Sequence, residues 1–140
     1  MANTATVTLQ TVEGDGLVFS AQVQSGASFV MDSANAPRGP SPVETLLAAL
    51  GGCTGMDVIG ILRKKRQTVL GYEIVLTGER RAENPRSFTR IEMLHRFRGR
   101  DLSARAIEDA IRLSDTKYCS VHATLVPKVE IVSRFEILPA

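Results

Sequence analysis

Two cysteines and two histidines are the side chains of this 140-residue sequence that most readily do chemistry: Cys53, Cys119, His95 and His122. Cys53 stands in Gly51-Gly52-Cys53-Thr54-Gly55, inside a run of helical pattern. A glycine in a helix interior costs about 1 kcal/mol relative to alanine, so three beside one thiol need a reason. They let a second backbone approach closely or let a reactant reach the sulfur. Equally, they serve helix packing around a cysteine acting as a small hydrophobe. Cys119 stands in Lys117-Tyr118-Cys119-Ser120-Val121-His122, where polar residues mark the entry to a short helix. A thiol at such an N-terminus, beside Lys117, would have a lowered pKa and more thiolate; an isolated buried cysteine is the competing reading.

Spacing argues against several chemistries. The cysteines are too far apart in sequence for a CxxC redox pair. A zinc site from Cys53, Cys119, His95 and His122 lacks the close CxxC or HxxxH ligand pairs that such sites use, so no metal is expected. A cysteine–histidine hydrolase would need an orienting Asn or Asp, and nothing in the sequence marks one. His95 falls in an alternating strand and reads as a surface residue. Without a phosphate-binding glycine loop, no nucleotide or other cofactor is expected. Net charge is +2, and the densest basic run is Arg63-Lys64-Lys65-Arg66. It falls at a helix C-terminus, where cations complement the helix dipole, and no interleaved aromatics make it a nucleic-acid patch.

Residues 1–30 show no basic start followed by an apolar block. The longest uncharged apolar stretch, Thr45 to Met56, falls short of the ~20 residues of a bilayer span. The expectation is a cytoplasmic protein without membrane contact, in a reducing compartment where thiols stay free.

The elements that must position these residues can be read from pattern. Length and a 44% hydrophobic fraction suit a single domain over residues 1–140. Residues 5–12, 17–24 and 28–32 alternate as three strands, the first two joined at Glu13-Gly14-Asp15-Gly16. Ser33 to Ser41, with Pro37, Pro40 and one charge, Arg38, is a loop. Ser41-Pro42-Val43-Glu44 opens a helix: Ser41 caps it, Pro42 takes the first helical position and Glu44 closes a capping box. Apolar residues at Val43, Leu46, Leu47, Leu50, Val58, Ile61 and Leu62 carry this helix to about Arg66, roughly 37 Å. Its middle is uncharged on every face, which predicts burial all round. Two long strands, 69–83 and 87–98, flank Asn84-Pro85 and carry charges on one face. A second helix runs from a Ser103 cap to about Asp115, Lys117 to Val126 is open between short helix and strand, and 128–138 form the last strand. The order βββ-α-ββ-α-β is an α+β fold.

Gly39 to Arg66 (GPSPVETLLAALGGCTGMDVIGILRKKR) and Lys117 to Leu125 (KYCSVHATL) closely resemble the OsmC/Ohr family, the osmotically inducible protein C and organic hydroperoxide resistance proteins. The Gly-Gly-Cys and Lys-Tyr-Cys-Ser variants resemble its OsmC-like branch. The resemblance implies an intertwined homodimer, with two long central helices packed against wrapped sheets and active sites at the subunit interface. It also implies a cysteine-dependent peroxidase. The cysteine matching Cys53 attacks an organic hydroperoxide and becomes a sulfenic acid, the one matching Cys119 resolves it as a disulfide, and a dithiol reductant restores both. The family's peroxidases hold the attacking thiolate beside an arginine from an early strand, itself held by a glutamate. This sequence has no arginine before Arg38, and Glu44 stands one residue late after Ser41-Pro42. Arg38 is the substitute cation nearest in sequence. Glu44 has its capping role and lies ~13 Å along the helix axis from Cys53. Asp57, one turn beyond Cys53, would raise a thiol pKa by like-charge repulsion. The alternative function is a non-enzymatic dimer of the same fold that binds a small apolar ligand or senses oxidants through the same thiols.

Overall fold

The computed structural model describes residues 1–11, 13–33 and 38–139. Among them the chain runs β1 (Ala5–Leu9), β2 (Phe19–Val23), β3 (Ser28–Met31), α1 (Pro42–Lys64), β4 (Thr68–Arg80), β5 (Phe88–Arg100), α2 (Ala104–Leu113), a π turn (Ser114–Tyr118), α3 (Ser120–Leu125) and β6 (Glu130–Ile137). This is the α+β class that the alternation and helical periods predict. The segment left open between helix and strand becomes the π turn and α3. The chain divides into two compact units, Met1–Leu46 and Leu47–Ala140.

In the first unit β1, β2 and β3 form an antiparallel meander, with Val7 opposite Ala21 and Ala21 opposite Phe29. β1 ends at Leu9, short of the predicted strand end, and Val12 lies outside the described residues. Of the predicted loop, residues 34–37 also lie outside them. Its end is tied to β3: Asp32 N donates to Pro40 O at 3.0 Å, and Arg38 N donates to Asp32 Oδ2 at 3.0 Å. The start of α1 follows the predicted capping box. Glu44 N donates to Ser41 Oγ at 3.2 Å, and Ser41 N donates back to Glu44 Oε1 at 2.9 Å. The Ser41 backbone N–H, then its hydroxyl, hold the Glu44 carboxyl below its ordinary pKa.

In the second unit β4, β5 and β6 form a sheet in that order, β4 antiparallel and β6 parallel to the central β5. A parallel neighbour requires a long crossover, which α2, the π turn and α3 supply. The core joins Val58 and Leu62 of α1 to Phe97 of β5 and to Ile107, Ala110 and Ile111 of α2. α1 is buried along one stripe, Leu50, Gly51, Thr54, Val58 and Leu62. Ala48, Ala49, Gly52 and Met56 are exposed, Met56 at 76%, so the burial on every face that the uncharged middle predicts is not met within one chain. By length and composition α1 is also apolar enough to cross a membrane, a test that the core helix of a soluble protein passes equally.

α1 is closed at its C-terminus by residues in an unusual conformation. Arg66 has φ 59°, its N–H returns to Arg63 O, and Gln67 N–H returns to Leu62 O. This is the Schellman closure, with arginine at the position usually held by glycine. An L-residue in the left-handed region costs about 1–2 kcal/mol, partly offset for glycine by a freer unfolded chain. Arg66→Gly is therefore expected to stabilise the protein by about 1 kcal/mol. The gain should appear as a higher urea midpoint with an unchanged slope; an equal or lower midpoint contradicts the assignment.

Candidate functional site

α1 and the crossover bring the two cysteines together. Cys53 Sγ, Cys119 Sγ and a carboxylate oxygen of Asp57 all lie within 4.8 Å of one another. Cys53 and Asp57 stand one turn apart on the same face of α1. Gly51 lets the helix lie close to the sheet: a Cβ there would come within 2.6 Å of Leu76 Cδ1 on β4. Gly55 meets Ile74 Cδ1 at an easier 3.4 Å, while Gly52, beside Cys53, faces open space. Of the two explanations for the glycines, close packing therefore belongs to Gly51, and Gly52 keeps the helix surface next to Cys53 bare.

Both thiols are free; Cys53 is half-buried and Cys119 buried. Cys119 caps α3, its Sγ accepting from His122 N–H at 3.3 Å and from the Thr54 hydroxyl at 3.6 Å. Its own N–H donates to Ser114 O at 2.9 Å, and Ser114 Oγ donates to Asp57 Oδ2 at 3.0 Å. Helix-entry position and Lys117 together predict a lowered thiol pKa. The structure corrects this: burial pushes the Cys119 thiol up, the His122 N–H pulls it down without prevailing, and the Cys53 thiol adds to the rise. Two hydrogen bonds do not replace the water that a buried thiolate loses. Lys117 turns elsewhere, its Nζ lying 5.2 Å from the Tyr118 ring centroid. Among the described residues neither thiol has a hydrogen bond or ion pair with an arginine or lysine. Arg38 is exposed and belongs to the first unit, whereas the thiols belong to the second. Glu44 is engaged in the capping box.

No histidine joins the thiol cluster. His122 Nδ1 lies 3.3 Å from Asp115 Oδ1, out of line for a hydrogen bond, so both buried atoms lack a hydrogen-bond partner. Ser133 Oγ donates to Asp115 Oδ2 at 2.7 Å, and burial raises the Asp115 carboxyl. Asp115 is thus the acidic neighbour of a histidine that sequence reasoning missed, because the π turn that carries it past α2 has no pattern of its own. The link from His122 to Cys119 runs through the backbone N–H, which is not the geometry of a cysteine–histidine hydrolase.

His95 is not a surface residue. It is fully buried, 0% exposed, on the face of β5 that also buries Ile91, Met93 and Phe97. The signal was in the alternation: Arg90, Glu92 and Arg96 occupy the other face, and His95 is in step with the apolar set. Its Nδ1 is hydrogen-bonded to Tyr72 Oη at 2.7 Å, and its Nε2 is buried without a partner. Burial lowers its pKa to about 4.

An α+β chain whose long helix and following crossover hold two free thiols together is the class of protein these features define. The family model described as OsmC-like protein matches residues 33–134, and the chain belongs to that family. Protein YhfA of Escherichia coli (strain K12) is 43% identical over 126 residues, covering 90% of this chain and 94% of its own. The crystal structure of a hypothetical protein from Aquifex aeolicus VF5 is 30% identical with a TM-score of 0.86, covering 100% of this chain and 98% of that one. An organic hydroperoxide resistance protein from Elizabethkingia anophelis, 10% identical, shares the fold at a TM-score of 0.70 over 99% of this chain and 97% of its own. The family read from the two cysteine segments and the α+β class read from the order of elements are thereby borne out.

The buried histidine has a measurable consequence. With its folded pKa depressed from 6.5 to about 4, His95 contributes stability that is present above pH 6.5 and lost as pH falls towards 4. The unfolded chain takes up the proton first, and the loss amounts to about 3 kcal/mol. Asp115, with a raised pKa, pulls the other way over part of that range. The difference between wild type and His95→Phe in urea unfolding from pH 7 to pH 4 therefore isolates the effect. A flatter pH profile in the variant is expected; parallel profiles contradict it.

Proposed function

We propose that this protein is a thiol-dependent peroxidase that reduces organic hydroperoxides, with Cys53 attacking and Cys119 resolving. The observation that carries the proposal is two free thiols within 4.8 Å that differ in exposure. Cys53, half-buried, is the thiol that a hydroperoxide can reach. Its thiolate attacks the terminal peroxide oxygen, the O–O bond breaks, and the alkoxide takes a proton and leaves as the alcohol. Cys53 is then a sulfenic acid. Cys119 attacks the Cys53 sulfur, the oxygen leaves as water with the Cys119 proton, and a disulfide remains. A dithiol reductant returns both thiols by exchange, and a reducing cytoplasm supplies such dithiols. Burial suits Cys119 to this part: it has no need to meet a bulky substrate, and a thiol of higher pKa is the stronger nucleophile per thiolate. The hydroperoxide resistance named in fold neighbours points the same way.

The working unit in this reading is a homodimer. Ala48, Ala49, Gly52 and Met56 form an uncharged strip on α1 beside Cys53 that one chain leaves exposed. A second copy laid on that strip would bury it beside the thiols. Sedimentation at micromolar concentration is expected to show a dimer, and a stable compact monomer contradicts that part of the reading.

One observation favours a second reading, oxidant sensing. The site places a carboxylate, Asp57, beside Cys53, and no arginine or lysine is hydrogen-bonded or ion-paired to either thiol among the described residues. Turnover separates the two. With cumene hydroperoxide and a dithiol, the peroxidase consumes many equivalents per chain, and Cys53→Ser abolishes consumption. Cys119→Ser, oxidised without the dithiol, stops at the Cys53 sulfenic acid rather than a disulfide. A wild type that oxidises once and stops sinks the peroxidase reading in favour of sensing.

A further inference from the structure

We propose that Cys53, Asp57 and Cys119 bind a soft divalent cation of the zinc class in the reduced protein, and that joining the two thiols expels it. The inference goes beyond the peroxidase reading and does not depend on it. Two sulfurs and a carboxylate oxygen lie within 4.8 Å of one another. Zinc takes thiolate at about 2.3 Å and carboxylate at about 2.0–2.2 Å in a tetrahedron, which sets its donors about 3.5–3.8 Å apart. The side chains need to close by about 1 Å, within reach of small torsional adjustments. Thiolate donors select zinc and its neighbours over magnesium and calcium.

The surroundings are built for ligands. Ser114 Oγ donates to Asp57 Oδ2 at 3.0 Å, which holds the carboxylate in one orientation. His122 N–H and the Thr54 hydroxyl donate to Cys119 Sγ. Hydrogen bonds of this outer kind orient metal ligands and tune their basicity. Asp57 forms no ion pair among the described residues. A cavity of ≈240 Å³ lined by Met56, Asp57, Gly60, Ile61, Lys64 and Tyr118 gives the carboxylate a path to solvent. Lys64 shares that cavity without pairing to Asp57 and is the one positive group there that a cation would have to pass.

The charge balance favours a cation. Two thiols and a carboxylate are gathered within 4.8 Å and none of the three is ion-paired to an arginine or lysine among the described residues. A divalent ion reverses this: it displaces the two thiol protons to solvent, no electron is transferred, and a fourth position stays open to water. Oxidation to the disulfide removes two of the three donors, so the same two thiols cannot hold the ion and be joined at once.

Equilibrium dialysis of the reduced full-length chain against Zn²⁺, with Co²⁺ as an optical probe, tests the site. One ion per chain and a thiolate-to-cobalt charge-transfer band are expected. Cys53→Ser should lose the ion, and oxidation with diamide should release it. Asp57→Asn and Asp57→Ser, checked for a native circular dichroism spectrum, should each weaken binding about tenfold or more. The proposal is overturned if the reduced wild type takes up no ion. It is equally overturned if a folded Asp57 variant binds as tightly as the wild type, which would leave non-specific thiol binding. No peroxide enters the assay, so its outcome stands apart from that of the peroxidase test.

Discussion

Burial of a single stripe of α1 is the constraint on which the thiol site depends. Leu50, Val58 and Leu62 are each 0% exposed, and burying an aliphatic side chain stabilises by about 1.5–3 kcal/mol. The stripe therefore fixes the rotation of α1 about its axis more strongly than any polar contact nearby. Gly51 lies in that stripe, and its lack of a side chain brings the helix down onto Leu76. Cys53 sits between Gly51 and Thr54 in the helical turn, so its direction is inherited from the packing of its neighbours. Cys119 is placed from the other side. α2 buries Ile107, Ala110 and Ile111 in the same core, and the π turn after it, one residue wider than an α-helical turn, delivers Cys119 to cap α3 against Thr54.

The same packing decides the electrostatics. Cys119 has what is ordinarily read as an activating environment, a helix start and a backbone N–H, yet its thiol is pushed up because burial outweighs both. The helix it caps is only six residues long, Ser120–Leu125, and a short helix has little field to offer. The two sulfurs therefore differ in kind, one reachable and one sheltered, although both are held in the same small volume. Asp57 adds negative charge to that volume and the Ser114 hydroxyl steadies it. Two thiols and a carboxylate thus share one small volume, within 4.8 Å of one another.

What could be read from the sequence followed from strong local rules. Ser41 and Glu44 announced the start of α1 through a reciprocal hydrogen-bond pair that needs only three residues' separation, and the structure forms it. The long charged-face strands and the two cysteine segments were equally plain. His95 shows that phase outweighs polarity: it lies in step with Ile91, Met93 and Phe97 and is buried with them, although an imidazole in an alternating strand suggests the surface. The Cys119 pKa could not be read because it turns on burial, which sequence spacing does not report. Asp115 and Ser114 owe their roles to the π turn, an irregularity that no periodicity announces. The exposed face of α1 shows the opposite limit: its uncharged composition predicts burial all round, whereas Ala48, Ala49, Gly52 and Met56 are exposed in the chain.

The central claim is that Cys53 and Cys119 act as a pair within one chain. Treating the reduced protein with one equivalent of an organic hydroperoxide, then digesting it without reductant and mapping the peptides by mass, tests this most directly. The account predicts a single product in which the peptides carrying Cys53 and Cys119 are joined, on a species that remains one chain by non-reducing denaturing electrophoresis. Over-oxidised Cys53 with Cys119 still a free thiol, or a disulfide linking two chains, would contradict it.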